Sequence, residues 1–527
     1  MDCFLCTLKP PARLTITALV AALAALGSGA CGPRPAAEPG ILRIALEASP
    51  ERLDPRYAMD AHSSRIGGLV FASLTRRRAD GLHEPYLARS WRREGKKRWI
   101  FELRPDLLFH DGSPVRAADV VATYEHILDP SSASPRRAVL ASIASISSPS
   151  PVTVVFELAR SDAAFMEVTG LGILPETQAR AAPLAAGQLI GSGPYRIALV
   201  EHGLRLRLEA FAGFVDGPPR LASIEFKIVP DEIMRALELR HGSVHLVQNA
   251  IDPDTVEWMR RSDPALTISQ GPSNSFQYLG MNLEHPALAK PEVRRAIAHA
   301  IDREAIVEHL LKGQARVASG LLPPHHWAHN GKVPSHRYSP ARARRLLDRA
   351  GLIDPDGPGP RPRIKLSYKT TTQDLRRRIA EVIRDQLAAV GIEIEVLSFE
   401  WGTFYGDIKR GNFHIYSLAW VGIADPDLYR LVFHSEMAPP AGHNRNHYKD
   451  SVLDVLLERG ARTADPQRRR AIYARVQRHT ARTLPYIPLW WPDNVIVMSK
   501  RLTGFEPHPS GELDGLAGAE MKAAAAP

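Results

Sequence analysis

Between Phe276 and Leu311 the sequence changes its hydrophobic period, and that change restricts the folds open to the chain. Phe276, Tyr278 and Gly280 alternate with Gln277, Leu279 and Met281, and Asn282 follows, which reads as a strand buried on both faces. His285-Pro286 breaks the run, and Pro291 sits at a first helical position. Val293, Ala296, Ile297, Ala300 and Ile301 then recur at the spacing of one apolar helix face. Asp302 caps a second helix whose buried face is Ile306, Val307, Leu310 and Leu311, and Gly313 ends it.

The same periodicities organise the rest. Residues 41–46 read as a strand, followed by a Leu53-Asp54-Pro55 turn. Residues 99–104 form a strand, Asp111-Gly112 a turn that needs positive φ, and 119–124 open a helix. Strands follow at 204–208 and 224–228, with a short helix at 233–239. Ser339-Pro340 starts another helix, and 353–363, rich in Pro, Gly and Asp, is a loop. Strand 364–368, helix 374–389 and strand 392–397 make a β-α-β unit, the pattern of a parallel sheet. Helices are expected at 448–457 and 468–480 and a strand at 495–498. The last dozen residues, rich in Ala and Gly, are expected to fray.

At 527 residues the chain exceeds one ordinary core, so two or three globular units are expected. The formal charge of +10 raises the question of an acidic partner. Short Arg runs at 76–78, 92–93, 136–137, 376–378 and 468–470 are scattered among acids, which reads as a solvated basic surface rather than a nucleic-acid site. Lys9 and Arg13 precede an apolar run from Leu14 to Leu26 and then Gly27-Ser28-Gly29-Ala30-Cys31, the layout of a signal peptide over residues 1–30. Cys3 and Cys6 fall inside that leader, so their C-x-x-C spacing carries no redox or metal chemistry in the exported chain. Cys31 becomes its first residue and opens an extended tether over 31–40, rich in Pro and Ala.

Leu418 to Asp427 is the segment with the strongest signs of ligand contact. An aromatic (Trp420), a Gly and two carboxylates (Asp425, Asp427) in a loop after a strand suit the wall of a cleft, with turn formation at Pro426 as the competing use. Trp401 and Tyr405 suit the same wall, or core packing. His443 and His447 have a metal-ligand spacing, but Gly442, Asn444 and Asn446 favour a loop, and no metal or cofactor is expected. G-x-S-x-G, H-E-x-x-H and P-loop motifs are missing from the exported chain. A membrane-attached hydrolase, the rival class, would need a nucleophile and base that no motif supplies.

These motifs also carry a resemblance. Tyr278-Leu279-Gly280-Met281-Asn282 with Val293 to Glu304, Trp99 to Tyr124 and Gly191 to Arg196 resemble the extracytoplasmic solute-binding proteins of family 5, over about residues 41–498. The resemblance implies a two-lobed α/β periplasmic-binding-protein fold of type II with an inserted subdomain. Lobe I would comprise 41–54, 189–275 and 492–520, the insert 55–188, lobe II 276–491 with its return crossing to lobe I at 485–491, and a flexible tail 521–527. It implies capture of a peptide or peptide-like solute, or of a metal chelate or other organic solute, for an ABC permease and its ATPase subunits. The protein would act as a non-enzymatic monomer. Ser49 before its turn, and Tyr278 and Asn282 on the crossing strand, would then face the ligand. The family's tryptophan loop holds a peptide's α-amino group with an aspartate three residues after the Trp; here that residue is Ile423, which leaves the role to Asp425 or Asp427. The segment before Cys31 is similar to a lipobox, with Ser28 in place of Leu, implying a lipid anchor there; Ser28-x-Ala30 also suits ordinary signal-peptidase cleavage.

Overall fold

One strand, Tyr486–Ser499, ties the two halves of the molecule together. In a computed structural model, which describes residues 40–78, 81–357 and 359–523, this strand changes partners midway. Its first part pairs with Phe276–Met281, and its second with Leu266–Pro272 and Leu246–Gln248. The register slips between Gln277 and Tyr278, opposite Pro488, a residue with no N–H to give to a ladder. The crossing segment expected at 485–491 is thus itself strand. Tyr486, Ile487, Leu489, Trp490 and Trp491 are all buried, and that burial outweighs the missing proline donors. The leader, Cys31 and all of the tether but Gly40 lie outside the described residues, and Gly40–Pro527 is one compact unit.

Twelve strands form the resulting sheet. Beyond Phe276–Met281 lie Ile415–Trp420, Ile364–Thr371 and Ile392–Phe399, the last two parallel and joined through the helix Asp374–Ala388. Beyond Leu246–Gln248 lie Ile41–Leu46 and Ser223–Ile228, also parallel, then two antiparallel strands. Each half-sheet is covered on both faces. Helices Pro291–Ala300, Pro340–Arg349 and Asp374–Ala388 pack on one face of the second half, and Trp401–Arg410, Leu428–Phe433 and Pro466–Thr483 on the other. This is why Phe276–Met281 is apolar on both sides.

Pro291 begins the helix Pro291–Ala300 as its spacing requires, with Val293, Ala296, Ile297 and Ala300 all fully buried. The second expected helix is different. Asp302 caps Arg303–Ala305, accepting from the Ala305 N–H at 3.0 Å, and the chain then widens into a π-helix over Ile306–Leu310.

Within 55–188, the strands Ala88–Glu94, Arg98–Leu103, Thr153–Leu158 and Ile143–Ser150 form a separate antiparallel sheet under the helix Ala117–Leu128. Its core holds Phe101, Tyr124, Phe156 and Phe165, each fully buried and worth about 2 kcal/mol in transfer free energy. His110, in the Asp111-Gly112 turn, accepts from the Gly191 N–H at 3.2 Å and reaches the Gly193 carbonyl at 3.1 Å. Its use is therefore structural, and burial pulls its pKa down to about 4. The C-terminal segment does not fray as far as Met521: Leu516 and Ala519 are buried in the core with Leu513 before them, and Glu520–Met521 pairs with Leu502–Thr503, while residues 524–527 of the expected tail lie outside the described residues.

Candidate ligand cleft

The tryptophan loop begins where the strand Ile415–Trp420 ends opposite Phe276. Trp420 stacks on Tyr278 at 6.4 Å, and Tyr278 stacks on Tyr486 at 3.9 Å. On its other side lies Arg445, its guanidinium 5.1 Å from the Trp420 ring and 5.2 Å from Tyr405. Tyr405 accepts a hydrogen bond from Arg445 Nη2 at 3.0 Å and stacks on the exposed Trp401 at 5.3 Å. Trp401, Tyr405, Trp420 and Tyr278 are thus brought into one row, with a buried arginine inserted between the second and third. Such cation–π contacts contribute roughly 1–2 kcal/mol when desolvated. Arg445 stands in a Gly- and Asn-rich loop, and nothing in its spacing marks it.

Beyond Trp420 the loop spends its carboxylates internally. Gly422 takes φ 68°, a conformation open to glycine, and Ile423 is buried with its N–H on the Asn274 carbonyl at 2.8 Å. Asp425 meets both terminal nitrogens of Arg469, at 2.6 and 2.5 Å. Asp427 meets Nε and Nη2 of Arg430, at 3.0 and 2.8 Å, and also accepts from the Tyr473 hydroxyl. Neither is left free for a ligand's ammonium. Asn282 is not brought to this loop: it lies at the opposite end of its strand, its side chain donating to the Gly411 carbonyl at 3.2 Å. Ser49 lines a separate cavity of about 430 Å³ beside Leu184 and His202. His443 and His447 sit in a loop, and no group of three or more His, Cys, Asp or Glu suited to a metal occurs among the described residues.

Gly422 is the loop's contribution to another cavity, of about 280 Å³, whose remaining walls come from the first half of the molecule. Ser63, Gly67 and Gly68 of the helix Ala61–Val70, Arg77, and Glu512 and Asp514 near the C-terminus line it. Arg77 is paired with Glu167, which also lies 3.3 Å from His83. Burial, helped by the Arg77 charge, pulls His83 down to about 4. Glu512 and Asp514 make no hydrogen bond or ion pair among the described residues. Burial pushes Asp514 up to about 6, and burial with the Asp514 charge pushes Glu512 up to about 7. Arg65 is likewise unbonded and faces Glu512 and Glu47. Glu47, 3.3 Å from His62, faces Arg376 across from the second half. None of these positions has a sequence signal, since the cavity and its surroundings are assembled from segments hundreds of residues apart.

The halves touch on both flanks of this region. Arg378 pairs with Asp252, Lys312 lies 2.9 Å from Asp254, and the Ala163 N–H bonds the Ala461 carbonyl at 2.9 Å. Two α/β halves joined by crossing strands, with a charged cavity at their junction, define a type II periplasmic-binding-protein fold. The chain belongs to the bacterial extracellular solute-binding proteins, family 5, whose model matches residues 83–437. It is similar to the oligopeptide-binding protein AppA of Bacillus subtilis, 26% identical over 495 residues covering 90% of each chain. The structure of AppA with a nonapeptide superposes with a TM-score of 0.82 over 92% of this chain and 99% of that one, at 25% identity. A probable di/tripeptide-binding protein 5 of Pseudomonas aeruginosa is 26% identical over 512 residues, 90% of this chain and 94% of its own. NikZ of Campylobacter jejuni, solved with Ni(L-His), shares the fold at a TM-score of 0.81 and 24% identity, covering 91% of this chain and 99% of that one.

Proposed function

We propose that this protein captures a peptide or peptide-like solute between its two halves and delivers it to an ABC permease, whose ATPase subunits supply the energy. Lobe II runs from 276 to 491 in this reading, and lobe I holds both chain ends and the inserted subdomain. The observation that carries it is the cavity where Gly422 of the tryptophan loop meets the unbonded Glu512 and Asp514. Two carboxylates set side by side in a cleft, neither with an ion-pair partner among the described residues, are costly to ionise together, and a ligand ammonium relieves that cost directly. Arg77 in the lining, and Arg65 just behind it facing Glu512, supply the opposite charge, which suits a zwitterion. Named relatives that bind oligopeptides or di- and tripeptides support the same class.

The protein holds its solute without converting it, acts as a monomer, and is held at the membrane through a lipid on Cys31. Trp420, Tyr405 and Trp401 wall the approach, while Asp425 and Asp427 keep the loop in shape. A metal chelate, as in NikZ, is the second reading; here a lining rich in unbonded carboxylates and poor in free imidazole favours the peptide. Mass spectrometry of the co-purifying solute, followed by titration on tryptophan fluorescence, tests the proposal. Saturable binding of a peptide is expected, at least tenfold weaker once its amino terminus is acetylated. Failure of every peptide to saturate the signal would overturn it, as would chemical turnover of the bound molecule.

A further inference from the structure

Three arginines line the cavity below Gly422, and two of them are committed to acids. Arg76 meets Glu84 and Asp216, and Arg77 meets Glu167. Arg136 meets no acid among the described residues. It stands between the helix Ala117–Leu128 and the strand Ile143–Ser150, in one of the short Arg runs that read as solvated surface. The structure instead sets it, partly buried, in the cavity wall.

Arg56 close by shows what a purely structural arginine does here. Its Nε and Nη2 bond Asp54 at 2.9 and 2.6 Å, and its Nη1 bonds the carbonyls of Ala179 and Ala181, both at 2.8 Å. Every nitrogen of that guanidinium is used. Arg136 uses one: Nη2 donates to the Ala58 carbonyl at 2.5 Å. Its Nε is buried with no partner, and its Nη1 is unbonded and accessible. The turn at Ala58 has other ties, since Ser134 Oγ donates to the Arg56 carbonyl at 2.7 Å and the Tyr57 hydroxyl to the Ser132 carbonyl at 3.0 Å. A partly buried fork of donors without an anion is costly, and burial pulls the Arg136 pKa down. A carboxylate is the group whose geometry matches that fork.

That carboxylate is not supplied by the cavity's own acids. A Cβ built on Gly68 would lie 3.1 Å from Asp514 Oδ1 and 3.7 Å from Glu512 Oε2, so both acids stand over the helix Ala61–Val70. The charges that bear on Glu512 are those of Asp514, Arg65 and Arg77, and the charge that bears on Asp514 is that of Arg76. Tyr124 is the ionisable neighbour of Arg136. Cation and acids thus occupy separate parts of one cavity, and a molecule with a charge of each sign can satisfy both.

We infer that Arg136 receives the carboxylate of the solute while Glu512 and Asp514 receive its ammonium, which makes Arg136 the residue that selects peptides with a free carboxyl end. The inference rests on this cavity being the solute site, and its test separates the two. A mixture of synthetic di- and tripeptides, and the same mixture amidated at the carboxyl end, are titrated on tryptophan fluorescence, with native mass spectrometry reading which species are held. Amidation should weaken binding to the wild type about ten- to a hundredfold, the worth of a charge-assisted hydrogen bond. In Arg136→Gln the free peptides should fall to the level of the amidated ones, so that the penalty for amidation disappears. A penalty that survives undiminished in the variant would overturn the inference and leave the proposed function standing. Equal binding of free and amidated peptides by the wild type would do the same. If no peptide of either mixture saturates the wild type, both readings fall. Arg136→Met, which keeps the length of the stem without its charge, serves if the Gln variant fails to fold, with the same deciding outcomes.

Discussion

Glu512 is a carboxylate whose surroundings work against its charge, and its titration can be followed. Its pKa is pushed from 4.5 to about 7, so the folded state holds a proton that the unfolded chain has already lost between those values. The stability this proton brings is fully present below pH 4.5 and is lost as pH rises through about 7. Glu512→Gln should therefore raise the thermal midpoint of the solute-free protein at pH 8 and leave it almost unchanged at pH 4. The gain at pH 8 is roughly 2 kcal/mol, less than the full shift implies because water in the cavity screens the charge. An unchanged midpoint at both pH values would mean that Glu512 has a partner there. The same variant should bind a free-amine peptide more weakly, which ties the stability measurement to the proposed anchor.

At the scale of elements, Gly191 and Gly193 show what a motif is for. A Cβ built on Gly191 would lie 2.0 Å from the Val70 carbonyl oxygen, and one on Gly193 would lie 2.6 Å from that of Leu69. The glycines let this segment run against the end of the helix Ala61–Val70, which lines the cavity. Gly191→Ala should cost about 2–4 kcal/mol, seen as a lower urea midpoint, and should weaken solute binding by moving Gly67 and Gly68. The helix Pro291–Ala300 and the β-α-β unit were legible for a related reason: their apolar positions repeat with the period of their own backbone, so each segment announces its structure without help. The π-helix at Ile306–Leu310 was not, because its apolar spacing fits an ordinary helix equally well. The continuity of the strand Tyr486–Ser499 was not legible either, because Pro488 and Pro492 give no ladder N–H and only burial of their neighbours shows that the pairing persists.

For the whole molecule, the contacts between halves decide how readily it opens. Arg378 reaches from the helix Asp374–Ala388 to Asp252, the cap of the helix Pro253–Ser262, while Lys312 reaches Asp254. These pairs are partly exposed, so each contributes about 1 kcal/mol or less to the closed arrangement. Arg378→Glu sets like charges against Asp252 and Asp254. It should increase the radius of gyration of the solute-free protein in small-angle X-ray scattering and weaken solute affinity about three- to tenfold, with the thermal midpoint nearly constant. An unaltered scattering curve would show that closure is held elsewhere, for example at Ala163 and Ala461.

What the sequence determined by itself was the α/β architecture and the positions of most helices and strands, along with the aromatic character of the segments that bring Trp401, Tyr405 and Trp420 into one row. Those follow from short-range periodicity and from residue chemistry, which survive without knowledge of distant neighbours. The tertiary structure alone decided which charges are free. Asp425 and Asp427 looked available in the loop and are bound by Arg469 and Arg430, whereas Glu512 and Asp514 stood in an unremarked C-terminal segment and face a cavity unbonded. Whether a carboxylate can hold a ligand depends on who else is within hydrogen-bond reach, and that is set by the packing of segments far apart in the chain.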